Sequence, residues 1–331
     1  MAIATTRTLG RSGITVGAIG MGSWSIGSTT AAMRMGGQPL GWGDSDVQQN
    51  IRAIQQAVGL GITFFDTANV YAAGQSERVL GKALAKVRDQ VVIATKWGWV
   101  FDEQTGEMIR EDHGPGLVRP SLEASLRRLG TDYVDVYQFH ENLAPADCAD
   151  DLVAECEKLV DEGLIRTYGW STDFLPSAEA FARGPNCSVI QHQLNVFTDN
   201  QPMLDLCGRL DLASINRGPL AMGLLSDKVT AQTRYDPDTV RGTAPEWLTW
   251  FADGRPAPEF LAKRDAVRDI LTSDGRTTVQ GALGYILARS DRTVPIPGCR
   301  TVAQVEETAG ALAHGPLTGA QVAEIHRILG A

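Results

Sequence analysis

The sequence predicts an α/β fold: a (β/α)8 barrel entered through an N-terminal β-hairpin and followed by extra C-terminal helices. Three observations carry that prediction. Eight short apolar runs alternate with segments of helical periodicity, which implies a parallel sheet. No shift of composition divides the 331 residues, so 1–331 reads as one barrel domain. The competing open dinucleotide-binding sheet wants G-x-G-x-x-G directly after its first strand. Here Gly20-Met21-Gly22-Ser23-Trp24-Ser25 ends in serine, and no helix opens there.

The elements follow in order. Residues 6–9 and 14–16 flank Gly10-Arg11-Ser12-Gly13, a turn signal that makes a hairpin. The first barrel strand, 18–22, ends in glycines, and the helix over 46–58 is set by Val47, Ile51, Ile54 and Val58. Strand 62–66 precedes a helix opened by Ser76, with Glu77 in its first turn. Strand 91–95 leads into a long loop, then a helix from 119 carrying Leu122, Leu126 and Leu129. Strand 133–139 precedes helix 147–162, strand 165–170 helix 176–182, and strand 189–193 helix 203–209. After strand 213–216 the pattern lapses over 226–258, which holds Trp247, Trp250 and Phe251. An aperiodic stretch of that length marks a functional insertion, either a lid or an oligomer contact. Helices 259–271 and 278–288, strand 293–296, and helices 302–312 and 318–329 complete the chain.

Composition narrows the function. Thirty basic against thirty-nine acidic residues give a net charge of −9, which disfavours nucleic acid as a partner. The five cysteines are scattered without C-x-x-C spacing, so neither a disulfide framework nor a metal site is expected. The N-terminus shows no signal-peptide pattern, and no apolar run approaches the ~20 residues of a membrane span. We therefore expect a soluble, cytoplasmic protein with no membrane partner, and leave oligomerisation open.

Four polar residues lie at or just beyond the ends of apolar runs: Asp66, Tyr71 five residues later, Lys96 and His140. Strands two, three and four of a barrel would carry them to the C-terminal rim, where barrel sites form. An acid, a phenol, an ammonium and an imidazole suit proton delivery to a carbonyl oxygen. Tyr71 is the candidate general acid. Lys96 would lower its pKa, Asp66 would hold Lys96, and His140 would orient the carbonyl. Singly, each has a plainer reading as a cap, a solvated charge or packing. Trp24, Trp97 and Trp99 sit just past strand ends and are candidate walls of an apolar substrate pocket.

These motifs together resemble the aldo-keto reductase family over nearly the whole chain. The resemblance rests on Gly20-Met21-Gly22-Ser23-Trp24, on Phe65-Asp66-Thr67-Ala68-Asn69-Val70-Tyr71 with Gly74-Gln75-Ser76-Glu77, and on Ala94-Thr95-Lys96 and Tyr137-Gln138-Phe139-His140. It continues in Tyr168-Gly169-Trp170-Ser171-Thr172, in Pro219-Leu220 with Gly223-Leu224-Leu225, and in Ile296-Pro297-Gly298-Cys299-Arg300 with Gln304 and Glu307. It implies a barrel that reduces aldehydes and ketones with NADPH/NADP+, a small-molecule carbonyl substrate and an Asp–Tyr–Lys–His tetrad.

The same resemblance implies a cofactor groove lined by Gly22, Ser23, Trp24 and Asp66, with Ser171, Thr172 and Gln191 at the nicotinamide carboxamide. It assigns Gly218, Pro219, Leu220, Gly223, Leu225, Ser226 and Lys228 to the loop after strand seven. Beyond Gly298, Arg300 and Thr301 would take the 2′-phosphate, and Gln304 and Glu307 the adenosine. Thr172 and Thr308 stand where the family often has asparagine. Arg217 stands where many relatives place an aromatic residue on the nicotinamide, so it is expected to stack there or to reach the pyrophosphate. Two other readings stay open: a non-catalytic NADPH-binding redox sensor, and a phosphate-handling barrel isomerase.

Overall fold

Period-2 alternation along the apolar runs builds the barrel. The computed structural model describes residues 5–29 and 33–330. Eight parallel strands pair in chain order. They are β1 (Met21–Gly22), β2 (Phe64–Asp66), β3 (Val92–Trp97) and β4 (Val134–Phe139), then β5 (Ile165–Ser171), β6 (Cys187–Gln193), β7 (Ala213–Arg217) and β8 (Thr293–Pro295). The ring closes at a seam where Gly22 bridges Gly298 in parallel, and the Gly20 and Gly22 amides donate to the carbonyls of Pro295 and Pro297 at 3.0 and 3.1 Å.

Phe64, Val92, Ala94, Val136, Val189, Ala213, Ile215, Val294 and Ile296 form one interior cluster. Residues of the opposite parity, among them Phe65, Ile93, Trp97, Tyr137 and Phe139, pack outward in a second cluster with helix side chains. Both faces are covered, so the strands read as continuous apolar runs. The hairpin strands Thr6–Thr8 and Thr15–Gly17 close the base. Leu9, Ile14 and Val16 join the interior cluster, and the Arg11 amide donates to Asp211 just before β7. The open rim is therefore the C-terminal one.

The helices are α1 (Val47–Gly59), α2 (Gln75–Leu84), α3 (Val118–Leu129), α4 (Ala149–Asp161) and α5 (Leu175–Phe181), followed by α6 (Gln201–Leu210), α7 (Pro258–Leu271), α8 (Thr278–Arg289), α9 (Val302–His314) and α10 (Gly319–Leu329). Asp46 caps α1 by accepting from the Gln48 and Gln49 amides. Ser76 does not open α2 as expected. It sits inside the first turn, and its hydroxyl donates toward Ser23 on the loop after β1.

The mouth holds structure that periodicity did not announce. The long loop after β3 folds into an antiparallel ribbon, Trp99–Phe101 with Glu107–Glu111. That ribbon pairs with Arg34–Met35, which in turn pairs with Gln38–Pro39. The rim loop expected over 29–42 is thus partly a sheet; residues 30–32 of it lie outside the described residues. The insertion carries one helical turn, Val240–Thr243, and a two-residue ribbon, Phe251–Ala252 with Arg255–Pro256. It is fastened to the first loop: the Val240 amide donates to Gly41 at 2.8 Å, the Thr243 hydroxyl to Pro39 at 3.3 Å, and Arg34 pairs with Asp238 at 3.4 Å. Among the described residues no helix is long and apolar enough to cross a membrane.

A Cβ on Gly22 would lie 2.7 Å from the Ile296 carbonyl oxygen across the seam. Gly22→Ala is expected to lower the unfolding free energy by about 1–3 kcal/mol in urea titration. An unchanged midpoint would mean the seam relaxes without cost.

Candidate functional site

Inward parity brings the chemistry together. Asp66 ends β2, Lys96 lies near the end of β3, Gln138 lies near the end of β4 and His140 directly follows it, all pointing into the barrel above the apolar interior. Lys96 has none of its surface exposed, yet its Nζ donates to Asp66 Oδ1 at 2.5 Å, to the Thr67 carbonyl at 2.8 Å and to Tyr71 Oη at 3.4 Å. Tyr71 comes from the turn after β2 and is 9% exposed. The His140 ring meets it edge-on, with centroids 5.7 Å apart.

Asp66 is held from three sides. Its Oδ2 accepts from Gln138 Nε2 at 3.0 Å and from Gln191 Nε2 at 2.8 Å, while Oδ1 takes the ammonium. Gln191 Nε2 also donates to Gln138 Oε1 at 3.2 Å. Gln138 carried no role in the sequence reading. Its signal was parity: it lies two residues before His140 and so shares its face.

Burial dominates the proton affinities. It pushes the Tyr71 phenol above its ordinary value; Lys96 and Arg217 pull against that, Asp66 adds to it, and burial prevails. The sequence reading expected Lys96 to bring this pKa down. Burial also pulls Lys96 down, but the charges of Asp66 and Tyr71 and their hydrogen bonds carry it above its ordinary value. His140 is driven well below the usual imidazole range by burial, then by Lys96 and Arg217. At neutral pH the site holds a protonated phenol, an ammonium and a neutral imidazole, whose buried Nδ1 has no hydrogen-bond partner among the described residues. Ala72 and Ala73, directly after Tyr71, sit in the left-handed region at φ 50° and 53°. That costs ~1–2 kcal/mol per residue.

Trp24 lies over Tyr71 with ring centroids 6.1 Å apart, meets Trp42 edge-on at 5.4 Å and approaches Trp247 at 6.5 Å. Trp99 is half-buried in the mouth ribbon. Trp97 is not a pocket wall. Because Lys96 points inward, its neighbour points outward, and Trp97 is fully buried against Tyr137 at 4.3 Å.

Other residues expected at the cofactor have partners within the protein. Thr172 is fully buried and its hydroxyl donates to the Asn142 carbonyl, so it ties two loops together. Ser23 is buried and donates to the Asp66 carbonyl at 2.8 Å. The Gln191 amide nitrogen is committed to Asp66 and Gln138, while Ser171 donates to Gln191 Oε1 at 3.4 Å. The Leu225 side chain lies in the core under the rim. Gln304 and Thr301 form the capping box of α9, so the Gln304 amide oxygen is occupied by the Arg300 and Thr301 amides.

Gly22 and Gly298 form the seam, and Gly298 is exposed. Gly218, Pro219, Leu220 and Gly223 form the turn after β7, with Ala221 and Met222 also left-handed. Lys228 is exposed and Glu307 half-buried. Arg217 pairs with Asp173 and reaches Gln193 at 3.4 Å and Asn142 at 3.5 Å, so a carboxylate offsets its charge at the mouth. Neither Asp173 nor Glu141 had been singled out. Glu141 follows His140, is almost fully buried, and its Oε1 has no partner among the described residues. Burial, then Glu111, raises its pKa to about 9.

Comparison with known proteins gives one family. A model described as the aldo/keto reductase family matches residues 18–329. The chain is 30% identical to the aldo-keto reductase YhdN of Bacillus subtilis over 304 residues, covering 89% of this chain and 84% of that protein. It is 29% identical to the NADH-specific methylglyoxal reductase of Escherichia coli, covering 92% of each. A solved aldo/keto reductase from Klebsiella pneumoniae, in complex with NADP and acetate, superposes with a TM-score of 0.70 at 25% identity, covering 98% of this chain and 95% of that one.

Glu141 supplies a pH test. An unfolded glutamate ionises near 4.5, but the folded one holds its proton to about 9. Its contribution to stability is therefore complete below 4.5 and is lost as pH rises through 9. Glu141→Gln is expected to flatten the fall of unfolding free energy between pH 5 and 9 in denaturant titrations. Equal slopes in parent and variant would remove this assignment.

Proposed function

Because the chain belongs to the aldo/keto reductase family, we propose that it is an oxidoreductase reducing aldehydes or ketones to alcohols, with NADPH as hydride donor and Tyr71 as general acid. The observation that carries the reading is the fully buried Lys96 ammonium set between the Asp66 carboxylate and the Tyr71 hydroxyl.

The residues present fit such a cofactor. Arg300 lies just before the N-terminus of α9 and has no carboxylate partner among the described residues, which suits a phosphate. Thr301 lies beside it, and the exposed Gly298 leaves the seam without a side chain. Arg217, Gly218, Pro219, Leu220, Gly223 and Lys228 offer the loop after β7. Gln304 contributes by fixing the turn that presents Arg300. When bound, the reduced nicotinamide supplies the hydride.

The chain's own residues manage the proton. As negative charge builds on the carbonyl oxygen, Tyr71 Oη releases its proton to it, and Lys96 stabilises the phenolate left behind. Asp66 keeps Lys96 charged and in place, with Gln138 and Gln191 fixing Asp66. His140, neutral and crowded by two cations, is suited to donate a hydrogen bond to the carbonyl rather than a full proton. Trp24, Trp42 and Trp247 give the entrance an aromatic wall, which suits an apolar body behind the reacting carbonyl.

Tyr71→Phe is the direct test. Turnover of NADPH with a panel of aldehydes and ketones should fall about 100-fold or more, while NADPH still quenches tryptophan fluorescence. Retained turnover would exclude Tyr71 as the acid. A redox sensor would instead keep both its binding and its effect on a partner. Arg217→Tyr should change the ratio of the NADP+ and NADPH dissociation constants by a few-fold, since the Arg217 charge bears on the oxidised ring only as far as Asp173 leaves it uncompensated. An unchanged ratio would remove Arg217 from cofactor discrimination.

A further inference from the structure

Asn50 is the polar exception on the buried face of α1. Ile51, Ala53, Ile54 and Ala57 share that face, and Asn50 has none of its surface exposed. Asparagine is a weak helix former, and burying its amide is costly unless the amide is hydrogen-bonded. The partners all lie outside α1. Oδ1 accepts from the Gly27 amide at 3.1 Å and from the Ser45 hydroxyl at 3.0 Å. Nδ2 donates to the Arg300 carbonyl at 3.2 Å, 250 positions along the chain.

The two sides of this amide lead to different parts of the molecule. On the oxygen side lies the first loop. The Ser45 amide donates to the Ser28 carbonyl at 2.9 Å, and the Ser28 hydroxyl accepts from the Trp42 amide at 3.1 Å. Trp42 meets Trp24 edge-on in the aromatic entrance. On the nitrogen side lies the head of α9. The Arg300 amide donates to Gln304 Oε1 at 2.8 Å, so Asn50 and Gln304 between them hold both backbone groups of Arg300. The direction in which the guanidinium leaves the chain is set from that base. A separate tie between the two helices, from Gln56 Nε2 to Glu306 at 3.3 Å, lies on the surface and does not involve Asn50.

We propose that Asn50 is a positioning residue with two separable arms: its amide nitrogen sets the backbone that presents Arg300 to the cofactor's 2′-phosphate, and its amide oxygen sets the first loop that carries the aromatic entrance. The inference rests on the function proposed above. Asn50 acts through Arg300 on one side and through Gly27 and Ser45 on the other, and it is not a catalytic residue. The arms can be cut one at a time. Asn50→Asp has nearly the same shape and keeps an acceptor for Gly27 and Ser45, but it turns an oxygen toward the Arg300 carbonyl in place of a donor. Ser45→Ala removes a donor to Oδ1 and leaves Nδ2 untouched.

Two readouts test it: dissociation constants of NADPH and NADH from fluorescence, and kcat and KM with the fastest-reduced member of the aldehyde and ketone panel. Asn50→Asp should weaken NADPH about three- to tenfold while NADH affinity, carbonyl KM and kcat stay near parental. Ser45→Ala should leave both cofactors alone and raise the carbonyl KM about twofold or more. Asn50→Ala should show both losses, and it keeps the test readable if the Asp variant fails to fold. In an Arg300→Ala background, adding Asn50→Asp should change NADPH affinity by less than about twofold, because the side chain it positions is gone. Parental NADPH affinity in Asn50→Asp would overturn the proposal, as would equal losses of NADPH and NADH, or a loss that persists undiminished without Arg300. A parental carbonyl KM in both Ser45→Ala and Asn50→Ala would overturn the arm assigned to the oxygen. If the parent itself binds neither dinucleotide, the function proposed above fails instead.

Discussion

Lys96 carries its charge with no exposure to water, and much of the rim is arranged to keep that charge tolerable. A lone buried ammonium would lose its proton or unfold its surroundings. Here Asp66 supplies the counter-charge, the Thr67 carbonyl a second acceptor, and two glutamines satisfy the remaining carboxylate oxygen. Removing one partner from such a pair leaves an uncompensated buried charge, which costs more than the pair itself contributes. The stability of the rim and the chemistry of the rim are thus the same set of hydrogen bonds.

The electrostatic balance explains why a phenol suits this place. Burial holds the proton on Tyr71, and two nearby cations, Lys96 and Arg217, favour its departure once an acceptor develops charge. Burial, and then the same cations, keep His140 neutral, so the two groups proposed to meet a carbonyl differ in kind: one able to give a proton, the other to donate a hydrogen bond. Asp173, paired with Arg217, offsets its charge at the mouth.

The barrel was legible in the sequence because strand and helix periods differ and eight changes of period are hard to mistake. Asp66, Lys96 and His140 stood out because a polar residue near the end of an apolar run has few structural excuses. Gln138 was hidden inside its run, and only the inward parity it shares with His140 distinguishes it. Trp97 was misread for the same reason, since adjacency to Lys96 in sequence means the opposite face in a strand. The mouth sheet escaped because it joins a two-residue strand to one some seventy positions away (Met35 with Met108), a pairing no local pattern encodes. Asp173 sits in an aperiodic segment, where only three-dimensional neighbours give a side chain its meaning.

The strictly sequential order of the strands has a consequence for how the molecule comes into being. Each strand pairs with the one made just before it, so most of the sheet grows by short-range additions. The exception is the seam, where Gly22 must find Gly298. As the chain leaves the ribosome, Asp66, Tyr71, Lys96 and His140 are all present before half of it is made, while Gln191, Arg217 and Arg300 follow later. A half-made barrel therefore has two raw edges and a partly completed charge cluster, the form most exposed to wrong pairing. Closure of two glycines across the seam ends that interval.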